Sequence, residues 1–202
     1  MTTQAGNVFI VHDYQSTSND HWYPWLSRQV KQLGIQAKRI MLANPLEPKM
    51  QDWQQSLEVQ IPKLDAETIL VAHGLSCLSV LKFVEQYYQN HHRAIRGVIL
   101  VAGFDQPLVG WSELNDLVRS VKLDFNTLTR SFKHSVMFIS SNDPDVPAVM
   151  SLQLAHHLKA QIFEIREAGH FEKTDGYADF PQLLEVIQRL YGLNGLQSAA
   201  NL

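Results

Sequence analysis

Short runs of apolar, often β-branched residues alternate along this chain with longer segments whose apolar residues recur at helical spacing. Such runs include Val-Phe-Ile-Val at 8–11 and Ile-Leu-Val-Ala at 69–72. Strands that are apolar on both faces are typical of a parallel sheet covered by helices on each side, and regular strand–helix alternation builds such a sheet. The sequence therefore predicts a three-layer α/β fold with about six mostly parallel strands.

The apolar runs and the helical spacing place the individual elements. The strand candidates are 7–12, 36–42, 68–72, 97–102, 135–140 and 161–166. The helix candidates are 20–33, 51–61, 75–88, 149–158 and 181–191. The preference for right-handed crossovers indicates the strand order 2-1-3-4-5-6. The connection over 104–132 is unusually long, with a weak helical pattern around 111–123, so it is either a lid or pocket wall or an ordinary surface helix.

Composition narrows the class of protein. A chain of 202 residues with 45% hydrophobic and 18% charged residues has the make-up of one globular domain, which we expect to span 1–202. The Gly/Asn/Ser/Ala-rich stretch 192–202 is expected to be a flexible tail. With 17 Lys+Arg against 20 Asp+Glu, the net charge of -3 lacks the basic surplus of a nucleic-acid binder.

Location is predicted from what the sequence does and does not contain. No apolar run approaches the ~20 residues that span a bilayer, and the first residues carry no signal-peptide pattern, so we expect no membrane association. The single cysteine, Cys77, excludes an intramolecular disulfide and fits a reducing, cytoplasmic compartment.

Three predicted strands are followed by residues capable of chemistry. The third strand leads into His73-Gly74-Leu75-Ser76, the fifth into Asn142-Asp143-Pro144, and the sixth into Gly169-His170-Phe171. Open parallel sheets bind ligands at the carboxyl ends of their strands. A strand-to-helix turn, then an aspartate, then a histidine is also the chain order of the α/β-hydrolase catalytic triad.

Together with other segments, these motifs resemble the small serine hydrolases of the retinoblastoma-binding-protein-nine and YdeN type. The further segments are Ser-Asn-Asp-His-Trp-Tyr-Pro-Trp at 18–25, Asn-Pro-Leu-Glu-Pro at 44–48 and Ile-Leu-Val-Ala-Gly-Phe at 99–104. The resemblance covers almost the whole chain. It implies a compact α/β-hydrolase fold. It also implies an enzyme that hydrolyses small ester or amide substrates without a metal or an organic cofactor. It also implies that Asp143 is the triad acid and His170 the general base, although a purely structural role for that pair stays open.

The chain departs from the family pattern at the nucleophile. The family's elbow reads Ala-His-Ser-x-Gly, whereas the same five positions here are Ala-His-Gly-Leu-Ser, which puts Gly74 at the nucleophile position. Ser76 lies two residues later, about 200° around and about 3 Å along an ideal helix. Ser76 is therefore either a displaced nucleophile or, as we favour, a small residue that packs the helix on the sheet.

A second departure follows the first strand, where the family commonly has His-Gly and this chain has His12-Asp13. That loop contributes to the oxyanion hole, so the predicted oxyanion and pocket residues are Asp13, Tyr14, His73 and Leu75. If the Asp13 carboxylate came within about 4 Å of a developing oxyanion, the repulsion would be about 4 kcal/mol at an effective dielectric near 20. Asp13 can instead turn outward, and the sequence leaves both orientations open.

Two functions follow from these observations. The first is a hydrolase for small esters or amides whose activity is weak or altered because the nucleophile is displaced. The second is a catalytically inactive member that binds a small ligand or a protein partner. The nine histidines form no metal-ligand spacing of the strength of His-Glu-x-x-His, so the sequence predicts no metal site.

Overall fold

Six parallel strands form one sheet in the order β2-β1-β3-β4-β5-β6 in the computed structural model, which describes residues 6–193. This order and the three-layer α/β architecture confirm the predictions. The strands are β1 Asn7–Val11, β2 Gln36–Ile40, β3 Thr68–His73, β4 Ile95–Val101, β5 Phe132–Ser140 and β6 Gln161–Ile165. The predicted strand positions are correct, with ends that differ by one to three residues because strand termini carry little pattern of their own.

Within residues 6–193, seven α-helices cover the sheet. They are α1 Tyr23–Gln32, α2 Met50–Gln60, α3 Ser76–His91, α4 Ser112–Ser120, α5 Phe125–Ser131, α6 Ala148–His157 and α7 Pro181–Leu190. Helices α4 and α5 both lie in the long connection over 104–132; α4 coincides with the weak helical pattern at 111–123, whereas α5 was not predicted. At seven residues, α5 is too short to show a helical period, and its start is marked only by Asp124, whose carboxylate accepts the N–H of Asn126 at 2.9 Å.

Strand β3 shows how the two outer layers are held. Its residues are all buried, and their side chains alternate between two apolar clusters. Leu70 and Ala72 pack with α2, α3, α5 and α6, whereas Ile69 and Val71 pack with α1 and α7. A central strand buried on both sides is what makes the sequence of a parallel sheet nearly continuous in apolar residues.

Directly after α7, Gly192 and Leu193 donate backbone N–H groups to carbonyls of that helix. The remainder of the tail predicted over 192–202 lies outside the described residues. Within residues 6–193, none of the helices combines the length and apolar character that crossing a bilayer requires.

Candidate active site

The carboxyl ends of β1, β3, β5 and β6 bring the predicted site residues together at one edge of the sheet. Val11 of β1 is paired with Ala72 of β3, and His73 of β3 is paired with Val101 of β4. The chain then turns from β3 into α3 at Gly74, whose φ is +54° and whose N–H donates to the carbonyl of Val101 at 2.9 Å. A positive φ favours glycine, which has no β-carbon to clash with the backbone. The strand-to-helix turn predicted from the sequence is therefore present.

The carboxylate of Asp13 points into this turn. Its Oδ1 accepts the backbone N–H of Leu75 at 2.7 Å and that of Tyr14 at 2.6 Å. A β-carbon added at Gly74 would lie 2.1 Å from Oδ2 of Asp13, well inside van der Waals contact. Of the two orientations left open by the sequence, Asp13 adopts the inward one, and its carboxylate occupies the space in which a side chain of residue 74 would begin.

The backbone of Asp13 is itself held on both sides. Its carbonyl lies 2.8 Å from Nδ1 of His12 and accepts the hydroxyl of Ser16 at 3.0 Å. Nε2 of His12 accepts the N–H of Leu42 at 3.0 Å, so the proton of this imidazole is on Nδ1. Burial, partly offset by the carbonyl contact with Asp13, lowers the pKa of His12, which fits this neutral form. The inward position of the carboxylate is thus built into the loop.

His170 lies between two carboxylates. Its Nδ1 is 2.8 Å from Oδ2 of Asp143, and its Nε2 is 3.0 Å from Oδ2 of Asp13. Ionised carboxylates only accept hydrogen bonds, so both ring nitrogens carry protons and the ring is an imidazolium. Burial acts to lower the pKa of His170, but the hydrogen bonds and charges of the two aspartates outweigh it and raise this pKa to about 11.

The ion pair between Asp13 and His170 also determines the pKa of Asp13. Burial works to raise the pKa of its carboxyl group, but the hydrogen bond from His170 and the neighbouring positive charge hold the pKa below its usual value. Asp13 and His170 therefore stabilise each other's charged forms. Their side chains are only 7% and 5% exposed, so water screens the pair weakly.

Backbone amides fix the other carboxylate. Oδ1 of Asp143 accepts the N–H groups of Asp145 and Val146, each at 2.9 Å, which leaves Oδ2 directed at His170. The N–H of His170 in turn donates to Oδ2 of Asp175 at 2.9 Å. The two residues that the sequence predicted as acid and base are hydrogen-bonded to each other in a fixed geometry.

His73 supports this arrangement from below. Its Nε2 is 2.7 Å from the carbonyl of His170, and its Nδ1 is 2.7 Å from the hydroxyl of Tyr23. The carbonyl can only accept, so Nε2 carries the proton and Nδ1 accepts from Tyr23. Burial, with the nearby charge of His170, lowers the pKa of His73 to about 3, so this ring is neutral. His73 thus positions the backbone of His170.

Ser76 has a different environment from these residues. Its buried hydroxyl lies 2.8 Å from the carbonyl of His73 and 3.3 Å from that of Val11, and it accepts the N–H of His73 at 3.2 Å. Both ring nitrogens of His170 face the two aspartates instead. The structure therefore places Ser76 at a junction of backbone segments in the first turn of α3, and does not bring it to His170.

A cavity of about 320 Å³ opens above the Asp13–His170 pair. One wall is formed by residues 110–114, from the long connection that precedes and begins α4. The rings of Tyr14 and Trp111 meet across the cavity wall with their centroids 5.6 Å apart. The cavity is lined by Asp13, Tyr14, Gln15, Gly110, Trp111, Ser112, Glu113, Leu114, Asp145, His170 and Glu172. Its size and aromatic walls suit a small molecule.

Two groups of side chains have the composition of a metal site. They are Asp13 with His73 and His170, and Asp143 with Asp145 and His170, and in each the ligand atoms lie within 4.8 Å of one another. However, each ring nitrogen of His73 and His170 already has a hydrogen-bond partner at 2.7–3.0 Å. A metal ion would have to replace these contacts and remove protons from His170.

Comparison with known proteins identifies the family. A sequence model described as "Serine hydrolase" matches residues 8–189. The chain belongs to the serine hydrolase family. YdeN of Bacillus subtilis (strain 168) is 32% identical over 180 residues, which cover 89% of this chain and 93% of YdeN. Serine hydrolase RBBP9 of Rattus norvegicus is 21% identical over 170 residues, 84% of this chain and 86% of that protein.

Solved structures of similar proteins agree with this assignment. The crystal structure of the B. subtilis ydeN gene product has a TM-score of 0.86 at 31% identity and covers 93% of this chain and 100% of its own. Est1E from Butyrivibrio proteoclasticus, solved with ferulic acid, has a TM-score of 0.70 at 14% identity over 93% of this chain and 88% of its own, and shows the shared fold only. The family resemblance stated from the sequence motifs is confirmed.

Sequence reasoning missed three residues that support the site in this serine hydrolase family member. Tyr23 lies in the motif at 18–25 and Asn142 directly precedes Asp143, but no sequence pattern indicates a role for these two residues or for Asp175. Oδ1 of Asn142 accepts the N–H of Gly169 at 2.9 Å, and Asp175 accepts the N–H of His170. Gly169 has a φ of +55°, and a β-carbon there would meet the Asp175 carboxylate at 2.2 Å. The glycine of the Gly-His-Phe sequence at 169–171 was the one sequence signal of the close approach between residue 169 and the Asp175 carboxylate.

Proposed function

We propose that this serine hydrolase family member does not form a seryl ester, and that an Asp13–His170–Asp143 array at the base of a small-molecule cavity replaces the usual Ser–His–Asp triad. Its hydrolytic chemistry is accordingly altered. The observation that carries this proposal is the position of the Asp13 carboxylate. It occupies the space beside Gly74 and accepts the N–H groups of Tyr14 and Leu75.

Ester hydrolysis by a serine needs those two donors for the substrate's carbonyl oxygen. The N–H of the residue after the nucleophile and an N–H from the facing loop form the oxyanion hole of α/β-hydrolases, and Leu75 and Tyr14 occupy these positions. Oδ1 of Asp13 already accepts both at 2.6–2.7 Å. An acyl oxyanion within about 4 Å of this carboxylate would be repelled by about 4 kcal/mol at an effective dielectric near 20.

The protonation state of His170 acts in the same direction. A general base must accept a proton, which an imidazolium cannot do. With its pKa raised to about 11, His170 is protonated at neutral pH. General-base catalysis contributes roughly 10²–10⁴-fold to rates, so its loss is a large part of ordinary hydrolytic activity. Gly74 and the protonated His170 both support the absence of seryl chemistry.

The second function is binding without turnover. The cavity above Asp13, with the ring pair of Tyr14 and Trp111, supports this function because it is concave and partly aromatic. It favours a small molecule over a protein partner, since protein interfaces are usually broad and comparatively flat.

Fluorophosphonate labelling, read by intact mass and peptide mapping, tests the main proposal. The unchanged protein is expected to remain unlabelled. The double variant Asp13→Gly/Gly74→Ser should become labelled at residue 74, because it empties the hole, supplies a hydroxyl and frees His170. Addition of His170→Ala should abolish that labelling.

A matched control retains the carboxylate. The double variant Gly74→Ser/Ser76→Gly restores the family's Ser-x-Gly pattern but leaves Asp13 in place, so it should stay unlabelled. A His170-dependent adduct on Ser76 in the unchanged protein would show a displaced serine nucleophile and overturn the proposal.

A further inference from the structure

The buried group with the least explained chemistry in this site is the Asp13 carboxylate itself. We infer that Asp13 is a nucleophile, whose Oδ2 attacks the tetrahedral carbon of an epoxide bound in the cavity, and that His170 then directs water to hydrolyse the resulting ester. This inference rests on the proposed function, because it requires that no seryl ester forms. It adds a reaction type and a substrate class to that proposal.

The geometry holds the carboxylate in one orientation. Oδ1 is fixed by the N–H groups of Tyr14 and Leu75, while Oδ2 lies beside Nε2 of His170. Asp13 and His170 both line the cavity, so a molecule bound there meets this pair. Carboxylates are established covalent nucleophiles in enzymes, and fixing a nucleophile beside its target removes much of the entropic barrier to reaction.

The chemistry of a carboxylate selects the electrophile. Attack on an ester carbonyl would give a mixed anhydride, and the intermediate would expel the carboxylate again more readily than an alkoxide. Attack on an epoxide carbon instead opens a strained ring and leaves an alkyl ester, which persists until water cleaves it. A carboxylate in this position therefore suits a tetrahedral carbon better than an acyl carbon.

In the first step, the bond from Oδ2 of Asp13 to the epoxide carbon forms and the ring C–O bond breaks. The ring oxygen keeps the electron pair and, through water in the cavity, takes the proton that His170 releases. The products are a neutral ester at Asp13, a neutral His170 and a hydroxyl group on the former epoxide. The loss of the Asp13 charge removes the contribution of one of the two aspartates that raise the pKa of His170.

In the second step, neutral His170, held at Nδ1 by Asp143, accepts a proton from water, and the water oxygen bonds to Cγ of Asp13. The oxyanion that forms on Oδ1 remains between the N–H groups of Tyr14 and Leu75. Collapse breaks the ester C–O bond, and the departing alkoxide takes the proton from His170. Proton transfer from the new carboxyl group to His170 restores the starting ion pair. The net reaction is epoxide plus water to a 1,2-diol, with no oxidant or reductant.

The oxyanion hole thus has a purpose in this reaction that differs from its usual one. It holds a carboxylate oxygen before attack and the ester's oxyanion during hydrolysis, with the same two hydrogen bonds throughout. Preorganised donors of this kind stabilise a developing charge without rearrangement.

Phenyl glycidyl ether is the probe that tests the inference. The His170→Gln variant should slowly accumulate one covalent probe molecule, mapped to Asp13, because solvent water must protonate the ring oxygen in place of His170 and no group remains to activate water for hydrolysis of the ester. Asp13→Asn should lose this adduct. Asp116→Asn is the control, since it removes an exposed carboxylate of α4 that does not line the cavity, and it should keep the adduct when combined with His170→Gln.

The unchanged protein supplies a second readout that does not depend on the folding of any variant. Turnover of the probe in ¹⁸O-water should place ¹⁸O in the Asp13 carboxylate, because the attacking water bonds to Cγ. Absence of both the Asp13 adduct and ¹⁸O incorporation, or equal labelling of Asp13 and Asp145, refutes the inference. If the inference is refuted in this way and no fluorophosphonate adduct forms, the proposed function still holds. A seryl adduct in the unchanged protein would refute both the proposed function and this inference.

Discussion

The carboxylate of Asp13 and the missing side chain of Gly74 occupy the same space. A β-carbon on residue 74 would lie 2.1 Å from Oδ2 and 2.3 Å from both Cγ and Oδ1 of Asp13. These residues follow two paired strands, β1 and β3, and are 61 positions apart in the chain. The inward position of the Asp13 carboxylate is therefore compatible only with glycine at position 74.

Gly74→Ser alone is expected to lower the free energy of unfolding by about 2–5 kcal/mol, since it combines a left-handed backbone with a steric conflict against a buried, hydrogen-bonded carboxylate. Gly34→Ser is the matched control, because Gly34 also has a positive φ, +79°, but no non-adjacent residue among 6–193 comes within 4 Å of its would-be β-carbon. Urea unfolding of both variants measures the difference. Equal losses would contradict the steric conflict at Gly74.

The Asp13–His170 pair should make stability depend on pH in a definite direction. The pKa of His170 is raised from 6.5 to about 11 on folding, so its contribution is fully present below pH 6.5 and is lost as the pH rises toward 11. The lowered pKa of Asp13 adds a contribution that is present above its ordinary value of 3.8 and is lost as the pH falls through the folded value.

Asp13→Asn isolates this dependence, because it removes the charge and keeps the size of the side chain. At neutral pH the loss of unfolding free energy should be about 3–5 kcal/mol, the usual cost of breaking a buried pair. The difference between the unchanged protein and the variant should shrink steadily between about pH 7 and pH 10 in denaturant titrations. A difference that stays constant over this range would contradict a raised pKa at His170.

Ser76→Ala is expected to affect stability without affecting reactivity. It removes a buried hydroxyl bonded to the backbone of His73 and Val11, at a cost of about 1–3 kcal/mol. Ser120→Ala, at an exposed hydroxyl on α4, should change stability by less than about 0.5 kcal/mol. In the Asp13→Gly/Gly74→Ser background, fluorophosphonate labelling should survive Ser76→Ala, and loss of labelling in a folded protein would assign Ser76 a direct role.

The cavity should prefer cationic ligands. Its lining contains the carboxylates of Asp13, Glu113, Asp145 and Glu172, whereas His170 is the one cationic side chain among the lining residues of this cavity. Tyr14 and Trp111 add aromatic faces, which attract a cation by about 0.5–2 kcal/mol. Choline should therefore bind more tightly than its neutral isostere 3,3-dimethylbutan-1-ol, as measured by tryptophan fluorescence.

Two variants on α4 distinguish the effect of a carboxylate in the cavity wall on choline binding from the effect of the protein's net charge. Glu113→Gln removes a carboxylate in the cavity wall and should reduce the preference for choline. Asp116→Asn removes an exposed carboxylate of the same helix that does not line the cavity, and it should leave the preference unchanged. An equal response of both variants would attribute the preference to net charge.

The fold was largely predictable because burial in a parallel sheet leaves a direct mark on the sequence. The six strands and their order are correct, since runs such as 69–72 are apolar on both faces and right-handed crossovers restrict the topology. Helix α5 was missed because seven residues do not complete two turns.

The site was predictable in membership but not in its internal contacts. The rule that ligands bind at strand ends brought Gly74, Asp143 and His170 into one group, and the resemblance to the family's oxyanion loop added Asp13. The orientation of Asp13 depends on a side-chain torsion and on free space across a strand pair, which no local pattern encodes. The contribution of Tyr23 was hidden for a similar reason, because its hydroxyl reaches His73 fifty positions away.

His170 carries a proton on each ring nitrogen, and each proton faces a different aspartate. The proton NMR signals of these two N–H groups can be compared within one spectrum. The Nδ1–H signal, facing Asp143, serves as an internal reference, and the Nε2–H signal, facing Asp13, reports on the cavity. A molecule that reaches the base of the cavity perturbs the second resonance and leaves the first nearly unchanged. Proton NMR can therefore report occupancy of the site in the absence of any turnover.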